Sequence, residues 1–339
     1  MAVRGLSGLC ALSWLIVAAA CASAPSGPPP TLTCPPPIQT VSPDNNPVVV
    51  TFAAPVTSGT PSVTSTCKPA SGSQFAVGTT AVTCTATVSG PPLSCSFNVT
   101  VSPPPHLEKT RVLAFGDSIT FGADSLCNGL TALRWTPDEW FRSWQGMAAV
   151  AAPYPSVLER MLKERYTAQL PTVFNAGLSG EKVTDTATRQ RFTRALNERN
   201  PEIVLLQEGI NDLHEGITRI TDPLRAMSLE ARGRGMQVFL GTLLPERPNG
   251  CRAFAVPPRN ESDFIRPTND SIRSMAAAEN IDLIDLYPLF ESHLNEYIGQ
   301  DGLHPTEIGY SAIAQSFFDA IKQKFEKTQS ARFPAPTRF

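Results

Sequence analysis

Residues 111–122 read Arg111-Val-Leu-Ala-Phe-Gly-Asp-Ser-Ile-Thr-Phe-Gly122, and this stretch decides the fold of the larger part of the chain. Its first five residues are mostly apolar and suit a buried strand, which Gly116, Asp117 and Ser118 then end with small and polar groups. Ligands bind at the carboxyl edge of an open α/β sheet, so Ser118 is a candidate nucleophile. Asp and Ser also cap helices at such turns, and the tripeptide alone leaves both interpretations open.

The overall composition excludes few functions. With 339 residues the chain is long enough for about two domains, and 42% hydrophobic residues support a substantial core. The net charge of -2 provides no electrostatic basis for binding nucleic acid. Many of the 32 prolines lie before residue 106, so the chain has two compositional regions.

The N-terminus is typical of an export signal, because Arg4 precedes an apolar stretch at about 9–20 and small residues follow. Cleavage after Ala24 would remove a signal peptide over residues 1–24 and release the protein to the periplasm or the exterior. A lipobox-like sequence at 18–21 offers the alternative of a lipoprotein attached to the cell envelope through Cys21. We favour cleavage and expect membrane attachment only if Cys21 is lipidated.

The eight cysteines are distributed as in proteins of oxidising compartments. Two belong to the signal, four lie between residues 34 and 95, and Cys127 and Cys251 lie beyond. Even counts favour internal bridges, and we predict one between Cys127 and Cys251. No Cys-x-x-Cys spacing occurs, so neither a zinc site nor a redox motif is expected.

Residues 33–102 contain short β-branched clusters separated by Gly, Pro and Ser turns, which predicts a small all-β sandwich. Pro-rich linkers at 25–32 and 103–108 bound it. Residues 34–35, 75–86 and 95–101 resemble the HYR module, an immunoglobulin-like extracellular domain. Four cysteines permit three connectivities, and we expect Cys34 to pair with Cys95 and Cys67 with Cys84. Such modules are associated with adhesion to a surface or glycan, but we favour a passive spacer that holds the next domain away from a surface.

From residue 109 to 327 apolar strands alternate with amphipathic helices, and residues 328–339 form a tail. The predicted strands are 111–115, 172–175, 202–207, 236–241 and 281–286. The predicted helices are 154–167, 184–198, 212–232, 264–278 and 305–327. This alternation predicts right-handed crossovers and an α/β fold, a flavodoxin-like three-layer α/β/α sandwich with a five-stranded parallel sheet.

Two further strand ends carry candidate oxyanion donors. The strand at 172–175 runs into a glycine-rich loop, so the N–H of Gly180 can point at a developing oxyanion, although a plain turn is the alternative. After the strand at 202–207, Asn211 offers an amide that stabilises a negative oxygen without losing a proton. Asn211 or Asp212 can instead cap the following helix, and we assign that role to Asp212.

Residues 301–306 read Asp-Gly-Leu-His-Pro-Thr, and we expect Pro305 to be the first residue of a helix. Asp301 and His304 would then lie in the loop before it, with the carboxylate in reach of the Nδ1–H of the imidazole. Nε2 would be free to accept a hydroxyl proton. A lone histidine is more often a surface or capping residue. We expect that role for the other three histidines, His106, His214 and His293.

In this order, residues 116–118, 175–180, 209–212 and 301–304 resemble the four blocks of the SGNH hydrolases, also called the GDSL esterase/lipase family. The resemblance spans about 110–327 and implies that Ser118 is the nucleophile, His304 the general base and Asp301 its orienter. It also implies an oxyanion hole formed by the N–H groups of Ser118 and Gly180 and by the Asn211 amide. Asp117 is then expected to hold the turn through backbone hydrogen bonds.

The same resemblance implies hydrolysis of carboxylic esters, either small molecules such as lipid esters or acylated glycans, with no metal or cofactor. The chain has neither a Gly-x-Ser-x-Gly elbow nor a His-Glu-x-x-His motif, which disfavours two other hydrolase designs. The alternative from another class is an adhesion or carbohydrate-binding protein with an inactive hydrolase domain.

The segment after the nucleophile turn contains three tryptophans, Trp135, Trp140 and Trp144. Their side chains either form the wall of a substrate cleft or pack on the core, and we favour packing.

Overall fold

The computed structural model describes residues 28–59, 63–88, 91–126, 150, 152–248, 250 and 264–327. The signal at 1–24, the tryptophan-containing segment, the Cys127–Cys251 bridge and the tail at 328–339 lie outside the described residues. The chain divides into two compact units, Met1–Thr40 with Pro47–Val101 and Val41–Asn46 with Ser102–Phe339. None of the described helices has both the length and the apolar character needed to cross a membrane.

The first unit is built from β-strands. In the described residues the strands of this region are β1 (Thr31–Thr33), β2 (Ile38–Val41), β3 (Val48–Val50), β4 (Val56–Ser58), β5 (Ser65–Lys68), β6 (Ser73–Phe75), β7 (Gly78–Ala86) and β8 (Leu93–Ser102). They form a sheet in the order β2-β8-β7-β5 and two separate pairs, β1-β4 and β3-β6. Val50 and Phe75 of the β3-β6 pair share a buried cluster with Val82 and Phe97 of the larger sheet, as expected of a sandwich.

The disulfides of the first unit join Cys34 to Cys95 and Cys67 to Cys84, the pairing expected with the HYR resemblance. Cys67 and Cys84 lie directly opposite each other in the antiparallel register of β5 and β7. A unit this small buries a limited core, so these cross-links contribute to its stability.

The second unit alternates strands and helices in chain order. Its described elements are β9 (His106–Leu107), β10 (Arg111–Gly116), α1 (Ser118–Phe121), α2 (Tyr154–Arg165), β11 (Thr172–Gly177), α3 (Thr186–Arg199), β12 (Ile203–Gln207), a 3-10 helix (Ile210–Glu215), α4 (Ile217–Gly233), β13 (Gln237–Gly241), α5 (Arg266–Glu279), β14 (Asp282–Ile284), α6 (Leu286–Ser292), α7 (Leu294–Tyr297), α8 (Glu307–Phe325) and β15 (Glu326–Lys327). The short strands β9 and β15 pair antiparallel.

The main sheet confirms the predicted flavodoxin-like fold. Within the described chain it has five strands in the order β11-β10-β12-β13-β14, all parallel. Every residue of β12 is buried, which suits a strand covered on both faces. The chain passes from β10 to β11 on one side and then returns to β12 on the other, so the carboxyl ends of β10 and β12 flank the point where the strand order reverses.

Helices cover both faces of this sheet. On one face, Tyr154 of α2 stacks on Phe317 of α8 with ring centroids 5.6 Å apart, and Phe325 of α8 meets Phe239 of β13. On the other face, which α3, α4 and α5 cover, Phe192 of α3 contacts Phe115 of β10 edge-on at 4.9 Å. The two helical layers and the sheet between them make the predicted three-layer sandwich.

Two element boundaries were predicted wrongly because short breaks went unrecognised. The helix expected over 212–232 is two elements, since Gly216 has a φ of +105° and separates the 3-10 helix from α4. The strand expected over 281–286 ends at Ile284, and Leu286 already begins α6.

The expectation that Pro305 opens the last helix was also wrong. Pro305 forms an isolated β-bridge with Ile298, and α8 begins at Glu307. Thr306 is the N-cap, because its Oγ1 accepts a hydrogen bond from the N–H of Gly309 at 3.1 Å. The proline therefore closes the loop that precedes the helix.

Gly177, the last residue of β11, allows the strand to pass against α1. A Cβ at Gly177 would lie 2.0 Å from the backbone nitrogen of Phe121. Asn175 spans the same contact, since its Oδ1 accepts from Gly177 N at 2.9 Å and its Nδ2 donates to Phe121 O at 3.3 Å. The strand end and the short helix that begins at Ser118 are therefore in backbone contact.

We expect Gly177→Ala to lower the free energy of unfolding by about 1–3 kcal/mol, because backbone rather than a flexible side chain must move. Urea denaturation measures this loss. The matched control is Gly233→Ala at the end of α4, where an added Cβ meets no atom within 4 Å, and it should leave stability unchanged or raise it. Equal stability of the two variants would contradict the close approach.

Candidate active site

Asp117 holds the turn between β10 and α1. It is the N-cap of α1, and its Oδ1 accepts a hydrogen bond from the N–H of Ile119 at 2.9 Å. Ser118 follows as the first helical residue. Asp117, and not Ser118, therefore caps the helix. The Ser118 hydroxyl is left available for another partner.

His304 is that partner, although 186 residues separate it from Ser118 along the chain. Its Nε2 lies 2.8 Å from Ser118 Oγ, and its Nδ1 lies 2.5 Å from Oδ2 of Asp301. An ionised carboxylate can only accept, so Nδ1 carries the proton and Nε2 accepts from the serine hydroxyl. All three side chains are buried, which strengthens their electrostatic interactions.

The loop that carries Asp301 is held by its own backbone and by the nucleophile segment. Asp301 Oδ1 accepts from the N–H groups of Leu303 at 3.0 Å and His304 at 2.9 Å, which orients the carboxylate. The N–H of Asp301 donates to the carbonyl of Ser125 at 3.0 Å, shortly after α1. The loop is therefore tied to the segment that carries Ser118.

The two further oxyanion candidates lie in adjacent loops. Gly180 has a φ of +76° in the turn after β11, and the N–H of Leu178 in that turn donates to Gly116 O at 2.9 Å. Asn211 lies in the 3-10 helix, and its Nδ2 donates to the carbonyl of Glu181 at 2.8 Å. An amide nitrogen carries two hydrogens, so one remains for a ligand.

Asp212 does not cap a helix, contrary to expectation. The 3-10 helix begins at Ile210 after Gly209, so Asp212 lies beyond the cap position. Its carboxylate accepts from Val183 N at 3.0 Å, Thr184 N at 3.1 Å and Thr184 Oγ1 at 2.7 Å. Burial raises the pKa of Asp212, while these hydrogen bonds oppose the rise. The residue ties the loop after β11 to the 3-10 helix.

Sequence reasoning assigned no role to three residues of this region. Arg191 of α3 forms an ion pair with Glu181, and Glu208 lies buried after β12 with neither carboxyl oxygen bonded within the described chain. Burial raises the pKa of Glu208 well above its ordinary value, and the nearby carboxylates of Asp117, Glu181 and Asp212 add to the rise. Glu181 and Glu208 directly flank the blocks at 175–180 and 209–212, and that position was the available signal for them. Nothing in the spacing pointed to Arg191.

Across the described ranges, no group of three or more His, Cys, Asp and Glu side chains has an arrangement that could hold a metal ion. The polar side chains around Ser118 instead bond to one another and to backbone groups of the neighbouring loops.

Comparisons with known proteins gave two family-model matches and a set of similar solved structures. The model of the GDSL-like lipase/acylhydrolase family matches residues 114–312, and the HYR domain model matches residues 27–101. The crystal structure of the lipase/acylhydrolase from Enterococcus faecalis is similar with a TM-score of 0.50 and 22% identity, covering 65% of this chain and 98% of that one. At this identity the likeness shows the fold alone.

Two further solved structures have lower scores. A GDSL-like lipase from Bacteroides thetaiotaomicron has a TM-score of 0.42 and 20% identity, covering 63% of this chain and 88% of that one. The acetylxylan esterase Axe2 from Geobacillus stearothermophilus has a TM-score of 0.46 and 19% identity, covering 63% and 95%. A comparison with curated protein sequences found no match.

The raised pKa of Glu208 predicts a pH-dependent stability. Above about pH 4.5 the unfolded carboxyl ionises while the folded one keeps its proton, so this group lowers the stability of the fold as pH rises towards its folded pKa. Glu208→Gln removes that contribution. We expect the variant to gain stability relative to wild type, and the gain to grow by up to about 1.4 kcal/mol per pH unit as the pH rises above the ordinary pKa of a glutamate carboxyl. Urea denaturation at several pH values measures the difference, and a pH-independent difference would contradict it.

Proposed function

The chain belongs to the GDSL-like lipase/acylhydrolase family, and its second unit is an ester hydrolase; from this premise we propose a secreted serine esterase. The proposed enzyme hydrolyses carboxylic esters of lipids or carbohydrates through an acyl-enzyme intermediate. The observation that carries the proposal is the chain of two hydrogen bonds that joins Asp301 to His304 and His304 to Ser118.

In the proposed acylation step, Ser118 Oγ attacks the carbonyl carbon of the ester while its proton passes to Nε2 of His304. The tetrahedral intermediate collapses when the bond to the alcohol oxygen breaks, and His304 returns the proton to that oxygen. Asp301 stabilises the transient imidazolium and keeps the imidazole in the required tautomer. The products are a free alcohol and an acyl group on Ser118.

Deacylation repeats these steps with water. His304 Nε2 takes a proton from the water as its oxygen attacks the acyl carbon, and then returns a proton to Ser118 Oγ as the carboxylic acid leaves. In both steps the carbonyl oxygen becomes negative. We propose that the N–H groups of Ser118 and Gly180 and the free N–H of the Asn211 amide stabilise that charge.

Secretion is supported by the disulfides of the first unit, since such bridges persist in oxidising compartments. The match to the HYR domain model points the same way. We propose that this unit holds the esterase away from the cell surface or contacts a glycan there.

We expect Ser118→Ala to fold normally and to lose at least about a thousandfold in kcat on p-nitrophenyl acetate, because no other group supplies the nucleophile. Wild type should also be labelled by a fluorophosphonate probe, and the variant should not. The control is Ser292→Ala, an exposed serine at the end of α6, which should keep both properties. Wild-type turnover by Ser118→Ala would contradict the proposal, and glycan binding by an inactive wild type would favour the adhesion alternative.

Asn211→Ala should lower kcat on the same ester by about 10²–10³-fold with little change in KM, since the amide acts on charge that develops in the transition state. Steady-state kinetics measure both constants. A rise in KM at constant kcat would instead assign Asn211 to ground-state binding.

A further inference from the structure

Arg191 and Glu181 form a two-pronged ion pair beside the candidate oxyanion residues. Nε of Arg191 donates to Oε1 of Glu181 at 2.7 Å, and Nη2 donates to Oε2. The Glu181 side chain is only 6% exposed, and that of Arg191 23%. Two parallel bonds from a planar guanidinium fix both the position and the orientation of the carboxylate.

The guanidinium is itself held by the ends of two strands. Nη1 of Arg191 donates to the carbonyl of Ala176 in β11 at 2.7 Å, and Nη2 lies 3.4 Å from the carbonyl of Gly116 in β10. The group also stacks over the ring of Phe115, with 3.9 Å between the guanidinium carbon and the centroid. Arg191 therefore connects Glu181 rigidly to the strand that leads to Ser118.

Glu181 in turn holds the Asn211 amide. Its backbone carbonyl accepts the 2.8 Å bond from Asn211 Nδ2, whereas Oδ1 of Asn211 accepts no hydrogen bond from any described residue. One bond thus orients the amide, and the position of Glu181 determines the direction of that bond. A shift of Glu181 would turn the N–H that is left for a ligand.

A contribution to stability alone does not account well for this pair. Buried ion pairs add little net stability, because removing two charges from water costs about as much as their attraction returns. The unit contains a comparable forked pair, Arg165 with Glu326, which joins the end of α2 to β15. Among the described residues it forms no hydrogen bond to these loops. The pair at Arg191 differs because its acidic member, Glu181, also accepts the hydrogen bond from the Asn211 amide.

We propose that Arg191 and Glu181 are positioning residues, whose ion pair holds the Glu181 backbone carbonyl where it aims the Asn211 amide at the developing oxyanion. This inference rests on the proposed function and deepens it. Neither residue needs to contact the substrate, so their effect should fall on transition-state stabilisation and leave substrate binding alone.

The test compares Arg191→Lys and Glu181→Gln with wild type on p-nitrophenyl acetate, with active sites counted by fluorophosphonate titration. Lysine keeps the charge but cannot form the fork. We expect kcat to fall about tenfold or more with KM within about twofold, because small misplacements of an oxyanion donor are costly. The inhibition constant of a trifluoromethyl ketone, whose adduct with Ser118 carries an oxyanion, should rise by a similar factor.

The matched control is Arg165→Lys, which breaks the other fork and should lower only the melting temperature. Equal losses of kcat in Arg191→Lys and Arg165→Lys, or unchanged kcat in Arg191→Lys, would overturn the inference while the proposed function stands. A wild type that hydrolyses no ester would overturn both.

A double-mutant cycle tests the connection through Asn211. If the ion pair acts by aiming that amide, Arg191→Lys should lower kcat at least about threefold less in the Asn211→Ala background than in wild type. Equal factors in the two backgrounds would overturn the inference. The cycle compares rates per titrated active site, so a smaller folded fraction in either variant does not affect the result.

Discussion

The lateral pairing of β10 with β11 on one side and β12 on the other brings three strand ends level, and the arrangement of the site depends on it. The register sets Gly116 opposite Gly177 in β11 and opposite Gln207 in β12. Residues that follow those positions emerge at one edge, because parallel strands share a direction. The nucleophile turn, the Gly180 loop and the 3-10 helix with Asn211 are therefore neighbours in space.

These loops are held by hydrogen bonds to each other more than by regular secondary structure. The carboxylate of Asp212 accepts hydrogen bonds from backbone N–H groups of the loop that follows Gly180. In the other direction, the Glu181 carbonyl of that loop accepts a hydrogen bond from the Asn211 amide. Buried polar networks of this kind favour one arrangement strongly when every member is bonded. Glu208 and Asn211 Oδ1 are exceptions, since neither is bonded within the described chain. Burial raises the pKa of the Glu208 carboxyl, and the neighbouring carboxylates add to the rise.

Much of the fold was predictable from local patterns. Each of the predicted strands and helices exists, since runs such as 203–206 combine apolar residues with polar boundaries. The errors occurred where a local signal was weak or misleading. Gly216 broke a helix whose periodicity continued across it, and Pro305, a good first residue for a helix, closes a β-bridge instead. Asp212 resembled a cap in sequence, but its partners come from a loop about 28 residues earlier.

The sequence by itself determined what local spacing controls. Asp301 lies three residues before His304, so their contact follows from one turn, and the small polar residues after Phe115 predicted that the strand ends just before Ser118. Only the tertiary structure decided which distant groups meet. The 186 residues between Ser118 and His304, and the 75 between Gly116 and Arg191, are bridged by strand order and register. Those depend on the packing of the whole sheet, and no local spacing encodes them.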